Sequence, residues 1–255
     1  MMSANTFVWY ELVTSDIDAA LAFYGKVLGW TAQDFPGGEG RYVIVSAAGK
    51  GVGGVMALPD GMRHPFWMGY VGVENADAAV TKLEGAGAKI HRRMEIPEVG
   101  RIALVTDRQG AGFAIIQGAS DRPSEAFSQH MPGHGNWHEL HTTNWEDAFD
   151  FYAGQFGWTK NDAIPMGEMG TYQLINIGDT RAGAMFNDPN MPQPMWLYYF
   201  GTPDIDAAVD LVNGNGGKIL FGPQEVPGGA FIVNVSDPHG AMFALVGPRL
   251  GGATA

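Results

Sequence analysis

Two residues of one short segment, Glu139 and His141, have side chains that could move protons. If residues 137–142 form a strand, side chains two positions apart project from the same face, so this carboxylate and this imidazole would meet. Such a pair can act as a general acid and a general base. The alternative is that His141 is a histidine at the wet wall of a cavity. Glu139 and His141 are therefore our candidate catalytic residues, and both interpretations stay open.

A second carboxylate, Glu11, lies in a segment of the same pattern, because WYEL at 9–12 recurs as WHEL at 137–140. In either copy the glutamate could be a base, could anchor a cationic group of a ligand, or could hydrogen-bond the backbone where two halves of the protein meet. A buried carboxylate is costly without a partner, so a partner must exist. Val13 stands where the second copy has His141, and this polar difference predicts that one copy is specialised.

Aromatic side chains on the same predicted strands could form flat apolar walls for a ligand that contains a ring. The predicted ligand-binding residues are one glutamate and four aromatic residues: Trp9, Glu11, Tyr70, Trp137 and Tyr199. Two further tryptophans, Trp67 and Trp196, could join these walls or could fill the core beneath the helices.

The cluster His134, His138, Glu139 and His141 looks at first like a set of zinc ligands. On a strand, however, Glu139 and His138 project to opposite faces, and no pair of histidines here has the helical spacing of a zinc site. We predict no cofactor, with one divalent metal held by Glu11, Glu139 and His141 as the alternative. His138 would face the helices as a hydrogen-bonded core histidine.

The segments that carry these side chains belong to an internal duplication. Motifs of residues 7–117 return in order in residues 137–247: WYEL as WHEL, FY and LGW as FY and FGW, DAAV unchanged, and D-x-x-G-A unchanged. Within each copy an apolar strand, an amphipathic helix and three strands follow one another, twice over. The sequence therefore predicts four βαβββ modules, at residues 7–58, 66–117, 137–187 and 196–247.

The first helix shows how these elements are recognised. Apolar residues from Ile17 to Leu28 recur at helical spacing, Ser15 or Asp16 can cap the start, and Gly29 can end it. With helices outside and curved mixed sheets forming open cups, the fold class is α+β. We predict two tandem domains, at 1–118 and 136–249, joined by a polar, turn-rich linker on the surface at 119–135.

Charge and composition exclude several functions. The formal net charge is −12, which repels nucleic acid, and the chain has no cysteine for disulfides or thiolate sites. No apolar run approaches the ~20 residues of a membrane span, and the first residues lack the pattern of a signal peptide. We expect a cytoplasmic protein with a small-molecule ligand and with no nucleic-acid or membrane partner. It would be a monomer with an internal pseudo-dimer, or a weak homodimer.

Taken together, the motifs resemble the vicinal-oxygen-chelate superfamily of glyoxalases, bleomycin-resistance proteins and extradiol dioxygenases. The resemblance rests on D-x-x-x-A-x-x-F-Y with L-G-W after the first strand (asparagine comes first in the second copy) and on the closing D-x-x-G-x-x-F turn. It covers nearly the whole chain, and it implies two tandem glyoxalase-like domains in which paired modules form a cup.

The resemblance also implies where the metal enzymes of the superfamily would hold a divalent ion. One ligand would lie on the first strand of a module, and another would lie four residues after the glycine of the closing turn. Those positions here are Trp9, Met68, Trp137 and Leu197 on first strands, and Ala114 and Ala244 on last strands. None offers the imidazole, carboxylate or thiolate that zinc, iron or nickel requires. The chain is thus similar to tandem members that lack the metal site.

Three functions stay open on these grounds. The first is metal-independent binding of a small aromatic or carbonyl-containing molecule, as in bleomycin-resistance proteins. The second is a superfamily enzyme, a lyase or an oxidoreductase such as a hydroxylase or a dioxygenase-like enzyme, that uses Glu139 and His141 or a rebuilt metal site. The third is an accessory protein without chemistry. We expect binding rather than catalysis.

Overall fold

The structure, a computed structural model, describes residues 5–36, 40–120 and 122–251. Four modules follow one another, each with a strand, a helix and three strands. Module 1 consists of β1 (Phe7–Thr14), α1 (Ile17–Leu28), β2 (Thr31–Asp34), β3 (Tyr42–Ala47) and β4 (Lys50–Ala57). Module 2 consists of β5 (Phe66–Gly72), α2 (Ala76–Gly85), β6 (Lys89–Ile96), β7 (Gly100–Thr106) and β8 (Gly112–Gly118).

The second half of the chain repeats this order with one addition. Module 3 consists of β9 (Gly135–Thr142), α3 (Trp145–Phe156), β10 (Thr159–Pro165), a single 3-10 turn (Gly167–Met169), β11 (Thr171–Ile177) and β12 (Thr180–Asn187). Module 4 consists of β13 (Met195–Gly201), α4 (Ile205–Gly214), β14 (Lys218–Glu225), β15 (Phe231–Ser236) and β16 (Met242–Gly247).

The strands form two open, mixed sheets of eight strands. Their orders are β2-β3-β4-β1-β5-β8-β7-β6 and β10-β11-β12-β9-β13-β16-β15-β14. In module 3 the first strand, β9, pairs in parallel with the last, β12. The middle strand β11 runs antiparallel to both of its neighbours, β10 and β12. The predicted α+β class with four βαβββ modules is thereby confirmed. Across the described residues, no helix is long and apolar enough to cross a membrane.

Local sequence sets the helix ends. At each helix start, the side-chain oxygen of the N-cap residue accepts a hydrogen bond from a backbone N–H of the first turn. The N-cap residues are Asp16, Asn75, Asn144 and Asp204 in chain order. Gly29 and Gly157 end α1 and α3 at φ values of 69° and 71°, a left-handed conformation that glycine adopts without strain. Strand β9, which carries Glu139 and His141, is therefore followed by α3, a helix whose start and end are both set by local sequence.

The chain divides into two compact units that do not follow the order of the modules. One unit comprises the described residues of Met1–Val8, Met68–Ser124 and Trp137–Leu197, and so holds most of modules 2 and 3. The other comprises those of Trp9–Trp67, Glu125–Asn136 and Tyr198–Ala255, and so holds most of modules 1 and 4. The tandem-domain boundaries at 118 and 136 stay a prediction.

A buried relay of hydrogen bonds joins α3 of module 3 to the closing turn of module 2 and to the first strand of module 4. The indole Nε1 of Trp196 donates to the Tyr152 hydroxyl at 2.9 Å, and this hydroxyl donates to Asp107 Oδ2 at 3.1 Å. The other oxygen, Asp107 Oδ1, accepts the backbone N–H groups of Gln109, Gly110 and Ala111. Every polar atom of this buried chain thus has a partner.

The other unit contains the matching relay. Trp67 Nε1 donates to the Tyr24 hydroxyl at 3.0 Å, and that hydroxyl donates to Asp237 Oδ2 at 3.0 Å. Both tryptophans are almost fully buried, with exposed fractions of 6% for Trp67 and 2% for Trp196. Of the two interpretations for these tryptophans, the structure supports core filling.

The linker at 119–135 stays a prediction, although part of it is buried. Asp121 lies outside the described residues, and the residues from Glu125 onward belong to the unit of modules 1 and 4. Ala126 and His134 have no exposed surface, and the Trp30 indole donates to the Gly133 carbonyl at 2.7 Å. The polar, turn-rich composition indicates a surface segment. However, the buried indole of Trp30, between α1 and β2, needs the Gly133 carbonyl as its acceptor.

Candidate functional site

The candidate site is built on one face of β9. Alternation along this strand places Trp137, Glu139 and His141 on the same side. The parallel neighbour β12 lies in register, with Ala184 beside Glu139 and Phe186 beside His141. The Phe186 ring meets the imidazole of His141 edge-on, with ring centroids 4.7 Å apart. The predicted shared face of Trp137, Glu139 and His141 is therefore present.

His141 lies between two carboxylates. Its Nδ1 is 2.8 Å from Asp188 Oδ2, and its Nε2 is 2.8 Å from Glu139 Oε1. The contact at Nε2 is a close ion pair, and this nitrogen is itself buried. The side chains of His141 and Glu139 are each 8% exposed, and that of Asp188 is 14% exposed. The charges therefore interact where water screens them little.

The cluster continues through a tyrosine and a tryptophan. The Tyr172 hydroxyl on β11 donates to Glu139 Oε2 at 2.6 Å, and it accepts from Trp137 Nε1 at 3.0 Å. The two oxygens of Glu139 thus face different partners, one a neutral hydroxyl and the other an imidazole. This arrangement fixes the Glu139 carboxylate in orientation.

The electrostatics of the cluster follow from burial and from the paired charges. Burial lowers the pKa of His141, but Glu139 and Asp188 more than offset it, so the net pKa of this imidazole is raised. Burial raises the pKa of Asp188. Its hydrogen bonds with His141 and with the Asn190 backbone lower this pKa by more than burial raises it, so the net pKa is lowered. The Tyr172 pKa is raised, first by burial and then by Glu139. The two carboxylates therefore favour protonation of the His141 imidazole.

Module 1 carries only part of this cluster. Trp9 Nε1 donates to the Tyr42 hydroxyl at 2.9 Å, and Tyr42 is hydrogen-bonded to Glu11. The pKa of Tyr42 is raised by burial and by the Glu11 charge, as for its counterpart in module 3. At the position of His141 this module has Val13, which is buried. The Trp–Tyr–Glu set is therefore present twice, and the histidine once.

The other predicted ligand-binding residues lie beside the two alanines of the last strands. Tyr70 is paired in register with Ala114, and Tyr199 with Ala244. Both tyrosines are buried, and the Tyr199 hydroxyl is 3.4 Å from Asn234 Oδ1. Whether these aromatic residues touch a ligand stays a prediction.

His138 faces the opposite side of β9, as expected for a core histidine. Its ring stacks on Phe7 with centroids 4.1 Å apart, and its Nδ1 donates to the Ala182 carbonyl at 2.8 Å. It is 1% exposed, and burial lowers its pKa to about 3. It therefore stays neutral at physiological pH and takes no part in the cluster.

A surface groove of about 320 Å³ lies elsewhere in the same unit, between α2 and strands β6 and β7. Its charged lining residues are already paired, with Arg101 close to Asp77 and Glu95. None of the predicted site residues lines this groove.

Comparison with known proteins identifies the family. A family model described as the Glyoxalase/Bleomycin resistance protein/Dioxygenase superfamily matches residues 133–245, and one described as Bleomycin resistance protein-like N-terminal matches residues 6–47. CFP32 of Mycobacterium tuberculosis, whose name assigns it provisionally to the glyoxylases, is 30% identical over 248 residues, which cover 94% of each chain. The chain belongs to the glyoxalase/bleomycin resistance/dioxygenase superfamily.

Other relatives and solved structures agree with this membership. The anthracycline biosynthesis protein DnrV of Streptomyces peucetius is 31% identical over 261 residues, covering 95% of this chain and 93% of DnrV. The 2,3-dioxygenase LapB from Pseudomonas sp. KL28 superposes with a TM-score of 0.70 at 12% identity, covering 98% and 94% of the two chains. The Mn(II)-bound glyoxalase from Novosphingobium aromaticivorans gives 0.68 at 16% identity, covering 100% and 87%. The two structural likenesses concern the fold.

The metal of the superfamily does not suit the residues of this chain. The positions implied for its ligands hold tryptophan, methionine, leucine and alanine, and Ala114 and Ala244 have no exposed surface. In the part of the chain that the structure describes, no three His, Cys, Asp or Glu side chains converge as ion ligands. Both ring nitrogens of His141 face carboxylates instead.

Two residues of the cluster, Tyr172 and Asp188, were not predicted from the sequence, and neither was the counterpart of Tyr172 in module 1, Tyr42. Tyr42 and Tyr172 occupy matching strands, so comparing the two copies position by position could have found them. Asp188 gave no such signal, because it lies in the turn-forming stretch Asn187-Asp188-Pro189-Asn190, where an aspartate is ordinary.

Proposed function

We propose that this chain binds a small aromatic or carbonyl-containing molecule at the β9 face of module 3 without the usual metal of the superfamily. The observation that carries the proposal is the donor set, because six positions that would hold metal ligands have side chains unable to serve. The names of two relatives are compatible with such ligands, since one refers to anthracycline biosynthesis and the other to a glyoxylase.

The chemistry of the face favours a planar ligand with hydrogen-bond donors. Trp137 and Tyr172 supply aromatic surface beside the carboxylate of Glu139. With two carboxylates and a single imidazole, the cluster has a net negative charge. A hydroxyl or an ammonium group of the ligand would therefore be attracted, and a carboxylate or phosphate would be repelled.

The first prediction concerns the anchor and the metal. Quinizarin, a planar dihydroxyanthraquinone, is expected to bind with equal affinity before and after exhaustive chelation, as measured by fluorescence titration. Glu139→Gln is expected to weaken binding about tenfold or more, the equivalent of ~1.4 kcal/mol, because the anchor loses its charge. Glu168→Gln, an exposed residue of the same module, is the control. Loss of binding on chelation, or stoichiometric zinc, iron or nickel in the purified protein, would contradict the proposal.

A second candidate function is acid–base catalysis, which the position of His141 between two carboxylates favours. An oriented imidazolium beside a carboxylate can give a proton to one atom of a ligand while the carboxylate removes one from another. Such chemistry belongs to a lyase, whereas an oxidoreductase would need a rebuilt metal site.

The corresponding prediction uses a simple carbonyl compound. With dihydroxyacetone in D₂O, the protein is expected to accelerate deuterium incorporation next to the carbonyl, followed by proton NMR. His141→Asn is expected to lower that rate 10²-fold or more, which is the usual contribution of a positioned acid or base. An exchange rate equal to that of buffer would contradict acid–base catalysis and leave ligand binding as the proposed function.

A further inference from the structure

We infer that Asp188 is a positioning residue that holds His141 for proton transfer, and that module 3 is the module specialised for this chemistry. The inference rests on the second candidate function. It is carried by a comparison of equivalent positions in the duplicated chain, in which module 3 has both the histidine and its aspartate and module 1 has neither.

Backbone hydrogen bonds establish which residues are equivalent. In module 3 the Asp188 amide donates to the Thr142 carbonyl at 2.9 Å, and in module 1 the Leu58 amide donates to the Thr14 carbonyl at 2.8 Å. Leu58 is therefore the counterpart of Asp188. Module 1 has leucine where module 3 has aspartate.

The same comparison extends to the histidine. Three residues before the helix N-cap, the four modules have Val13, Gly72, His141 and Gly201. An imidazole thus occurs in module 3 alone of the four, and it occurs together with its aspartate. A charged pair in a nearly buried place is costly unless both members are present, so the paired replacement is what electrostatics requires.

Asp188 is itself held rigidly. Its Oδ1 accepts the Asn190 amide at 2.9 Å, so the carboxylate is part of a tight turn, while its Oδ2 faces His141 Nδ1 at 2.8 Å. An acceptor at Nδ1 fixes that nitrogen as N–H and aims Nε2 toward Glu139. The Phe186 ring, 4.7 Å away, limits rotation of the imidazole. Nε2 lies 2.8 Å from Glu139 Oε1, so the imidazole and the second carboxylate are held next to each other.

The test follows the His141 ring by ¹⁵N NMR in the full chain. The charged groups facing the ring are Glu139 and Asp188, and the neutral hydroxyl of Tyr172 lies behind Glu139. Asp188→Asn is expected to lower the midpoint of the His141 titration by at least one pH unit and to reduce the dihydroxyacetone exchange rate at least tenfold through kcat. Asp188→Glu is expected to restore both in part.

Two controls keep the outcome decisive. Quinizarin binding and the NMR signals of His138 report that the site and the fold survive the substitution. If Asp188→Asn leaves the His141 midpoint and the form of its ring nitrogens unchanged, the positioning role is wrong, whatever the exchange rate. If the wild-type protein shows no exchange while Asp188→Asn shifts the His141 midpoint, the catalytic function fails and the positioning of the ring stands.

A gain-of-function variant tests the assignment to module 3. Val13→His combined with Leu58→Asp would place the missing pair next to Glu11 and Tyr42. We expect a new histidine signal whose midpoint lies above the usual value of the imidazole, as for His141. A grafted histidine with an ordinary midpoint would show that these two positions do not suffice to define the cluster, and would overturn the assignment.

Discussion

Acidification is expected to destabilise the protein through His138, by a factor of about ten in the unfolding equilibrium for each pH unit below 6.5. This buried imidazole has a pKa lowered from 6.5 to about 3, whereas the unfolded chain binds the proton at the ordinary value. Stability from this residue is therefore complete above pH 6.5 and is lost as the pH falls toward 3. At pH 5 the loss amounts to about 2 kcal/mol.

His141 has the opposite effect on how stability depends on pH, so its contribution must be separated from that of His138. Its folded pKa is raised, so the stability that it adds is complete below 6.5 and is lost as the pH rises through the folded value. Urea unfolding between pH 7.5 and 4.5 should be compared for the wild type, His138→Asn and the exposed-loop control His64→Asn. An asparagine can still donate to the Ala182 carbonyl but takes up no proton. Parallel pH profiles for the wild type and His138→Asn would contradict the prediction.

The second large effect is expected from Tyr152→Phe. This substitution removes one hydroxyl that serves two buried groups, the Trp196 indole at 2.9 Å and the Asp107 carboxylate at 3.1 Å. An unsatisfied buried group costs about 1–3 kcal/mol and a charged one more, so a loss of about 3 kcal/mol is expected. The equivalent Tyr24→Phe, which strands Trp67 and Asp237, should cost a similar amount.

A double-mutant cycle separates the hydroxyl from general packing. If the relay is the cause, Asp107→Asn and Tyr152→Phe together should destabilise by clearly less than the sum of the single variants, measured as free energies of unfolding in urea. Phe151→Leu, a neighbouring buried ring without a polar atom, is the control for lost packing. Additive effects would mean that Tyr152 and Asp107 contribute independently.

The elements could be predicted from sequence because their signals are local. The α1 helix is marked by its Asp16 cap, its apolar face and Gly29, and all three act within one helix length. The duplication helped to predict the other elements, since each of them occurs in both copies of the sequence. The packing of His138 followed from strand alternation alone, because a residue next to Glu139 must face the other way.

The partners of these residues could not be predicted in the same way. Tyr152 is an obvious motif residue, but its acceptor Asp107 lies 45 positions earlier, in a turn of a different module. Asp188 lies in a stretch whose composition indicates a turn, and only the folded backbone brings it to His141. His134 and Ala126 were expected at the surface for the same reason, since composition describes a segment without saying what covers it.

The presence of modules 1 and 4 in one compact unit has a consequence for synthesis of the chain. Module 1 leaves the ribosome first, yet its unit includes module 4. The acceptor of the Tyr24 hydroxyl, Asp237, is made 213 residues later. Modules 2 and 3 can complete their unit by Leu197. The apolar surface of module 1 is thus translated long before its unit can be completed, so this surface needs protection until module 4 has been made.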